Sequence, residues 1–301
     1  MPAAYSKCLV AIQRDGVAAM EWFTETLHIG WRQQIKVDRV LFHDKTEHQD
    51  LILFESPQWG RVLALDGIVQ TTTADESAYH EMLVHPAIIA HGRVRSACIV
   101  GGGDGGTARE LVKHTTVERI VQAELDPGVI DFCLKYLPSL SDGAFDDPRL
   151  EFSFGDAAAF MAKDGERFDV ILVDSTDPIG PGAALFTESF YRDCRRRLNE
   201  GGILVTQAGN PALAPEELAE VMARKRAAGF TDVDFLLTVV PTYVGGFMAL
   251  GWASDDATRR RVRVDTLRSR PQPEGLNYYT PEVHVAAFAH PIWVQRAAAG
   301  C

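Results

Sequence analysis

Cys98-Ile99-Val100 is an uncharged apolar run that ends in Gly101-Gly102-Gly103-Asp104-Gly105-Gly106 and opens into a helix-like stretch, Thr107 to His114. A buried strand that turns through glycines into a helix aims backbone amides and a helix N-terminus at whatever lies beyond the sheet edge. Gly101, Gly103 and Gly106 fit the spacing of the nucleotide-binding fingerprint. Acidic Glu124 follows the last glycine by about twenty residues, where a ribose hydroxyl needs an acceptor. A plain strand-to-helix turn would look much the same. Asp104 is the exception in the pattern. A loop built for pyrophosphate, or for an amino-acid carboxylate, should not carry a fixed negative charge at its centre, since like charges a few ångströms apart repel by roughly 1 kcal/mol or more. Asp104 either asks for a cation or caps the helix that follows it.

Beyond Pro86 the chain alternates regularly. Strands are expected near 96–101, 119–124, 149–153, 168–174, 202–207 and 231–239, with helices beginning near 107, 127, 157, 187 and 215. That rhythm means a Rossmann-like α/β unit, a mostly parallel sheet covered by helices on both faces, with ligands at the carboxyl ends of the strands. Pro241 to Leu250 has no Lys, Arg, Asp or Glu and predicts a closing antiparallel strand. The arginine-rich stretch from Ala257 to Pro273 predicts a solvated helix. Upstream, Glu47 to Glu55 and Arg61 to Thr72 are rich in branched residues, Pro57 and Gly60 punctuate the connection, and Asp66-Gly67 is a hairpin signal. They predict a small antiparallel β domain, followed by a helix from about Thr73 that stops near His85-Pro86 and then a short helix. The expected division is an N-terminal extension over 1–20, the β domain over 21–88 and the α/β domain over 89–301.

Acids gather where the ligand should be. Asp104 closes the first strand of the alternating region, Glu124 the second, Asp156 follows the third and Asp174 ends the fourth, with Asp177 just beyond it. Several carboxylates on one rim are costly unless cations or hydrogen-bond donors answer them. Glu124 suits ribose hydroxyls. Asp156 with the amide of Ala157 could take an adenine amine and ring nitrogen, or cap the helix from Ala157. Asp104, Asp174 and Asp177 then have no nucleotide atoms left to bind, which implies an organic polycation. A metal is the rival for such a cluster. No phosphate-gripping lysine accompanies it and the glycine loop lacks a P-loop ending, so the expectation is no metal. Ile179-Gly180-Pro181-Gly182 reads as a loop able to move over the site, or as an ordinary surface turn.

Composition sets the surroundings. A net charge of −11 argues against a nucleic-acid surface. The five cysteines, Cys8, Cys98, Cys133, Cys194 and Cys301, are scattered and read as reduced thiols of a cytosolic protein. No leader pattern and no apolar stretch of membrane-spanning length is apparent, so a cytoplasmic location is expected.

At this point the chain resembles a family, the polyamine aminopropyltransferases of bacterial type. The resemblance is carried by His48-Gln49-Asp50-Leu51, Gly60 to Gly67, Tyr79-His80-Glu81-Met82, Ile99 to Gly106, Asp174-Ser175-Thr176-Asp177-Pro178-Ile179-Gly180-Pro181 and Pro241-Thr242-Tyr243, in that order, and runs from about Trp22 to the C-terminal region. It implies transfer of an aminopropyl group from decarboxylated S-adenosylmethionine, a co-substrate rather than a resident cofactor, to putrescine, giving spermidine and methylthioadenosine. It also implies a methyltransferase-like catalytic domain beside the β domain, and a homodimer or homotetramer. Nucleoside contacts would fall to Gln49, Gly101, Gly103, Asp104, Glu124, Asp156, Ala157 and Pro181. Amine contacts would fall to Tyr79, His80, Asp104, Asp174, Ser175, Thr176, Asp177 and Tyr243, with Asp174 as base and Tyr79 assisting it. Ala157 and Val244 depart from residues common in the family. The decarboxylated donor keeps its sulfonium and lacks a carboxylate, so Asp104 would attract it and repel the ordinary methyl donor. Rival readings are an S-adenosylmethionine-dependent methyltransferase, a non-catalytic polyamine or nucleoside binder, and a nicotinamide dehydrogenase, the last set back by Asp104.

Overall fold

The computed structural model describes residues 21–45, 50–178 and 180–300. The expected extension over 1–20, with His48, Gln49 and Ile179, lies outside them. The described chain opens with two antiparallel sheets. Strands β1 (Trp22–Thr24) and β2 (Gln34–Lys36) form one, and β3 (Arg39–Lys45), β4 (Asp50–Ser56), β5 (Gly60–Leu65) and β6 (Ile68–Thr72) the other. Asp66 and Gly67 both take positive φ, 51° and 78°, the geometry the β5–β6 hairpin requires. The first three strands had no clear mark in the sequence. Leu53 and Leu63 of the four-stranded sheet pack against Phe132, Cys133, Leu137 and Leu140, which tie it to the larger unit.

Helix α1 (Ser77–His91) bridges to that unit and corrects the expected stop at Pro86, since it is one helix that runs through the proline to Gly92. A proline inside a helix costs about 3 kcal/mol. Ile88 and Ile89, with Ala87 and Ala90, are buried beyond it, and burying large apolar side chains at about 1.5–3 kcal/mol each outweighs that cost. Gly92 then ends the helix in the left-handed region, its N–H donating to the Ile88 carbonyl.

The main sheet is built from β7 (Ser96–Gly101), β8 (Arg119–Glu124), β9 (Leu150–Phe154), β10 (Phe168–Asp174), β11 (Leu198–Gln207), β12 (Asp232–Val239) and β13 (Phe247–Ser254), in the order β12-β13-β11-β10-β7-β8-β9. The β7–β8, β8–β9, β7–β10 and β10–β11 pairs are parallel. Helices α2 (Gly106–Val112), α3 (Pro127–Tyr136), α4 (Pro138–Ser141), α5 (Ala157–Ala162), α6 (Glu188–Arg196) and α7 (Pro215–Ala227) connect them, and α8 (Val264–Ser269), α9 (Pro281–Ala287) and α10 (Ile292–Ala298) follow the last strand. Ile99 and Leu172 face a core with α1, while Cys98, Val100, Ile171 and Val173 face a second core with Phe190, Tyr191 and Leu218. Both faces are therefore covered, as the apolar stretches within these strands require.

Two expectations are corrected here. The antiparallel strand begins at Phe247, because Gly245 and Gly246 take positive φ and make Pro241–Gly246 a turn; it lies between β12 and β11. The arginine-rich segment is helical only over Val264–Ser269, and several of its arginines face inward. Arg260 pairs with Asp232 and Asp234, Arg259 donates to the His91 carbonyl, and Arg270 donates to the carbonyls of Ile89 and Ala90. These are anchors for α1 and the sheet, which a count of charges does not distinguish from a solvated face.

Candidate active site

Strand order reverses between β7 and β10, the place where an open α/β sheet leaves a crevice. The last residues of the two strands, Gly101 and Asp174, are register partners. Gly101 has φ 80°, and a Cβ there would run into the Asp174 carbonyl oxygen, so glycine is required on both counts. The amide of Gly102 donates to that same carbonyl at 2.9 Å. The glycine loop is thereby pinned to the end of β10, and Asp104 is carried to the side of Asp174.

His80 of α1 stands between the two acids, its Nε2 3.4 Å from Asp104 Oδ2 and 3.9 Å from Asp174 Oδ2. The histidine ring occupies the space a Gly106 side chain would fill. Asp104, one residue before the Gly105 N-cap, accepts the Gly106 amide that begins α2 with Oδ1 at 2.9 Å, while its other oxygen faces His80. Asp174 Oδ2 accepts from Thr107 Oγ1 at 2.6 Å, and Tyr79 also donates toward Asp174.

The same environment drives the acids apart. Burial works against the charge of Asp104, but His80 and the Gly106 amide outweigh it and hold the carboxyl below its ordinary range. Burial raises Asp174; the charge of His80 and the hydroxyls of Thr107 and Tyr79 pull it down, Asp104 beside it pushes it up, and burial prevails. Burial disfavours the charge on His80, yet Asp104 and Glu76 raise its pKa well above the ordinary value. His80, Asp104 and Asp174 each offer a ligand atom within 4.8 Å of one another, a span that suits a cation.

A second acidic end lies past β10. Asp177, raised by burial, accepts from Gln207 Nε2 at 2.9 Å. Gln207 is 4% exposed and its Oε1 has no hydrogen-bond partner among the described residues, nor has the buried Oγ of Ser175. Glu25, buried beside Gln33, is raised to about 7 by burial, and Asp177 adds to the rise. Tyr243 donates to the Gln70 carbonyl at 3.0 Å and meets Tyr79 edge-on at 6.1 Å between ring centroids. Thr176 is exposed. Beside this end a cavity of about 470 Å³ is lined by Leu27, His28, Trp31 and Leu213, and the charge of Asp177 senses His28.

At the other side of the glycine loop Glu124 is 7% exposed and raised by burial, with Oε1 accepting the Asp126 amide at 3.0 Å. Its Oε2 lies 2.9 Å from where a Gly103 Cβ would stand, so Gly103 keeps the acid and the loop in close approach. Asp156 caps α5 through Oδ1, which accepts the amides of Ala158 and Ala159, and Ala157 is buried. Gln49 is outside the described residues, and Pro181 lies in the 3-10 turn Gly180–Phe186.

The sequence reading missed Glu25, Glu76, Thr107, Gln122 and Gln207. Gln122 donates to the carbonyls of Gly101 and Gly102 from inside β8, at 2.9 and 2.8 Å. An amide in the middle of a buried strand is a readable signal. Glu76 and Glu25 carried none, because an acid at a helix start or just past a short strand is ordinary.

Residues 76–262 match the spermine/spermidine synthase domain, and residues 21–73 match the spermidine synthase tetramerisation domain. Polyamine aminopropyltransferase 1 of Pseudomonas aeruginosa is 50% identical over 92% of this chain and 98% of its own length. The polyamine aminopropyltransferase of Ruegeria sp. is 50% identical over 91% and 97%. A crystal structure of spermidine synthase in complex with the transition-state analogue AdoDATO superposes with TM-score 0.86 at 35% identity, over 96% of this chain and 99% of that one. Spermidine synthase from Thermotoga maritima gives 0.83 at 34% identity, over 95% and 97%.

Proposed function

The chain belongs to the spermine/spermidine synthase family, and on that premise we propose that it transfers the aminopropyl group of decarboxylated S-adenosylmethionine to putrescine, yielding spermidine and methylthioadenosine. The observation that carries the reading is the carboxylate pair at the crevice where strand order reverses, Asp104 and Asp174 converging on His80 Nε2 at 3.4 and 3.9 Å. Asp104 holds the donor's ammonium and disfavours any donor that still bears a carboxylate. Glu124 takes the ribose hydroxyls, and Asp156 with Ala157 and Pro181 borders the adenine. Asp177, the free Oε1 of Gln207 and Tyr243 receive the distal ammonium of the diamine.

The nitrogen lone pair of the acceptor attacks the methylene beside the sulfonium in line with the C–S bond. That bond breaks, its electrons remain on sulfur, and the neutral thioether leaves. A free alkylamine titrates near 10 and an ordinary Asp near 3.9, so full proton transfer between them would cost roughly 8 kcal/mol. The rise in Asp174 narrows that gap. Asp174 accepts a hydrogen bond from the attacking amine, with Tyr79 beside it, and its negative charge stabilises the positive charge that grows on nitrogen; the new C–N bond leaves that nitrogen as an ammonium, whose extra proton passes through Asp174 to solvent. Closing of the loop around Gly180 over the bound substrates, a cytoplasmic location and a homodimer or homotetramer belong to the same reading. The tetramerisation-domain match over 21–73 supports assembly, and no described helix is long and apolar enough to cross a membrane.

Incubation with decarboxylated S-adenosylmethionine and putrescine, cadaverine, agmatine or spermidine, read by product mass, tests the reading. Spermidine from putrescine is expected. Methylated products, or none, would overturn it.

A further inference from the structure

Glu76 takes no part in the reading above, yet it makes the shortest contact of the central histidine, 2.6 Å between its Oε2 and His80 Nδ1. The same oxygen accepts Arg109 Nη2 at 2.8 Å. Arg109 is itself held from the far side, its Nε donating to Glu110 Oε1 at 2.7 Å and its Nη1 to the Leu140 carbonyl at 3.0 Å. Glu110 in turn takes Lys113 and His85. The Glu76 carboxylate, 10% exposed and one helical turn before His80, is therefore bound from α1 by His80 and from α2 by Arg109, which α4 braces in turn.

We propose that Glu76, pinned by Arg109, is a positioning residue for aminopropyl transfer: it fixes the His80 ring with Nε2 toward Asp104 and Asp174 and keeps that ring in its charged form. This rests on the reading of the site as an aminopropyltransferase. The groups facing His80 are Glu76 and Tyr79 from its own helix, Asp104 from the glycine loop and Asp174 from the end of β10. The only cation among them is His80 itself, with Arg109 reaching it through Glu76. An imidazolium between two carboxylates lets both stay ionised at close range; a neutral imidazole would leave them to repel, and one would take up a proton. A carboxylate on Nδ1 also fixes ring orientation, as in other carboxylate–histidine pairs.

The test compares Glu76→Gln, which keeps an acceptor for Nδ1–H and removes the charge, with Glu76→Asp, which keeps the charge. For Glu76→Gln the alkaline limb of kcat/KM moves toward neutral by roughly one to three pH units, and the rate above that limb falls by about 100-fold. Glu76→Asp loses rate but keeps the limb. Nitrogen-15 histidine spectra, with the His80 signal assigned by its loss in His80→Gln, show the same shift in titration without any turnover. Methylthioadenosine binding reports that the variants are folded. Superimposable pH profiles and an unmoved His80 titration in Glu76→Gln would overturn the proposal. If the wild-type chain forms no aminopropylated product, the assignment of the reaction fails, and the nitrogen-15 titration still decides whether Glu76 holds His80 charged.

Discussion

Gly106→Ala puts the geometry of the site to a direct test. The backbone accepts the change, since Gly106 is absent from the residues with positive φ and begins α2. The obstacle is a single side chain. An added Cβ would stand 2.6 Å from His80 Nε2 and nearer still to Cε1 and Nδ1. Ordinary contacts to ring atoms are about 3.5 Å or more, so the ring must retreat by roughly 1 Å. Retreat of that size stretches the 2.6 Å bond to Glu76 and carries Nε2 beyond reach of Asp104, now 3.4 Å away. Misplacement by about 1 Å costs on the order of 100-fold in rate, and overpacking costs about 1–3 kcal/mol of stability, less up to about 1 kcal/mol that alanine returns to the helix. A double-mutant cycle isolates the cause. In a His80→Ala background the space is open, and Gly106→Ala should be neutral or stabilising by up to about 1 kcal/mol. Urea denaturation of the four proteins gives the coupling, and kcat/KM of Gly106→Ala gives the rate. Full activity in Gly106→Ala, or an equal stability change with and without His80, would refute the placement of the ring.

Three further outcomes are expected. Asp174→Asn should lower turnover by about 100-fold or more while methylthioadenosine still binds by calorimetry, since the group that stabilises the charge growing on the amine is lost; a near-normal rate removes Asp174 from the chemistry. Asp104→Asn should weaken the decarboxylated donor much more than methylthioadenosine, which has no ammonium, and equal losses would leave Asp104 only an acceptor for the Gly106 amide. Lys225→Met concerns the core: Lys225 is fully buried with Nζ donating to Thr206 Oγ1 and the Gly251 carbonyl, and burial lowers its pKa from 10.5 to about 7. The unfolded chain therefore binds this proton first as pH falls, and stability is lost between 10.5 and about 7. The cost reaches about 5 kcal/mol below neutral pH, and losing two hydrogen bonds returns about 2 kcal/mol, so Lys225→Met should be more stable by roughly 3 kcal/mol at pH 6 and lose that advantage near pH 10. Urea midpoints that differ equally at both pH values would contradict this.

What the sequence made legible follows from how local each signal is. The strand–glycine–helix turn, the alternating elements and the Asp66-Gly67 hairpin depend on neighbours in the chain, and the structure has them where they were expected. The acids at the strand ends were legible because a parallel sheet brings those ends to one rim. Glu76 and Glu25 were not, since their importance arises from burial against residues distant in sequence. Glu76 meets Arg109, and the charge of Glu25 is felt at Asp177. Pro86 misled for the related reason that a local breaker was overruled by tertiary burial of the residues after it. Arg259 and Arg260 misled because an arginine that ties buried carbonyls or carboxylates looks, in sequence, like one in water.

The division of labour between Asp104 and Asp174 is written in their donors rather than in their residue type. Asp104 receives a backbone amide and the nearer approach of a charged ring, 3.4 Å against 3.9 Å for Asp174. Both stabilise its anion, which suits a group that must stay charged to hold an ammonium. Asp174 receives neutral hydroxyls from Thr107 and Tyr79 and has another carboxylate for company. Burial therefore leaves its anion less favoured, which suits a group that must accept a hydrogen bond from the amine and stabilise the positive charge that grows there. The glycine loop makes both environments at once, because the Gly102 amide that ties it to Asp174 and the Gly106 amide that donates to Asp104 belong to the same turn. A side chain at Gly101 would meet the Asp174 carbonyl and one at Gly106 would meet His80, so the loop's glycines maintain the contrast in acidity as well as the path of the chain.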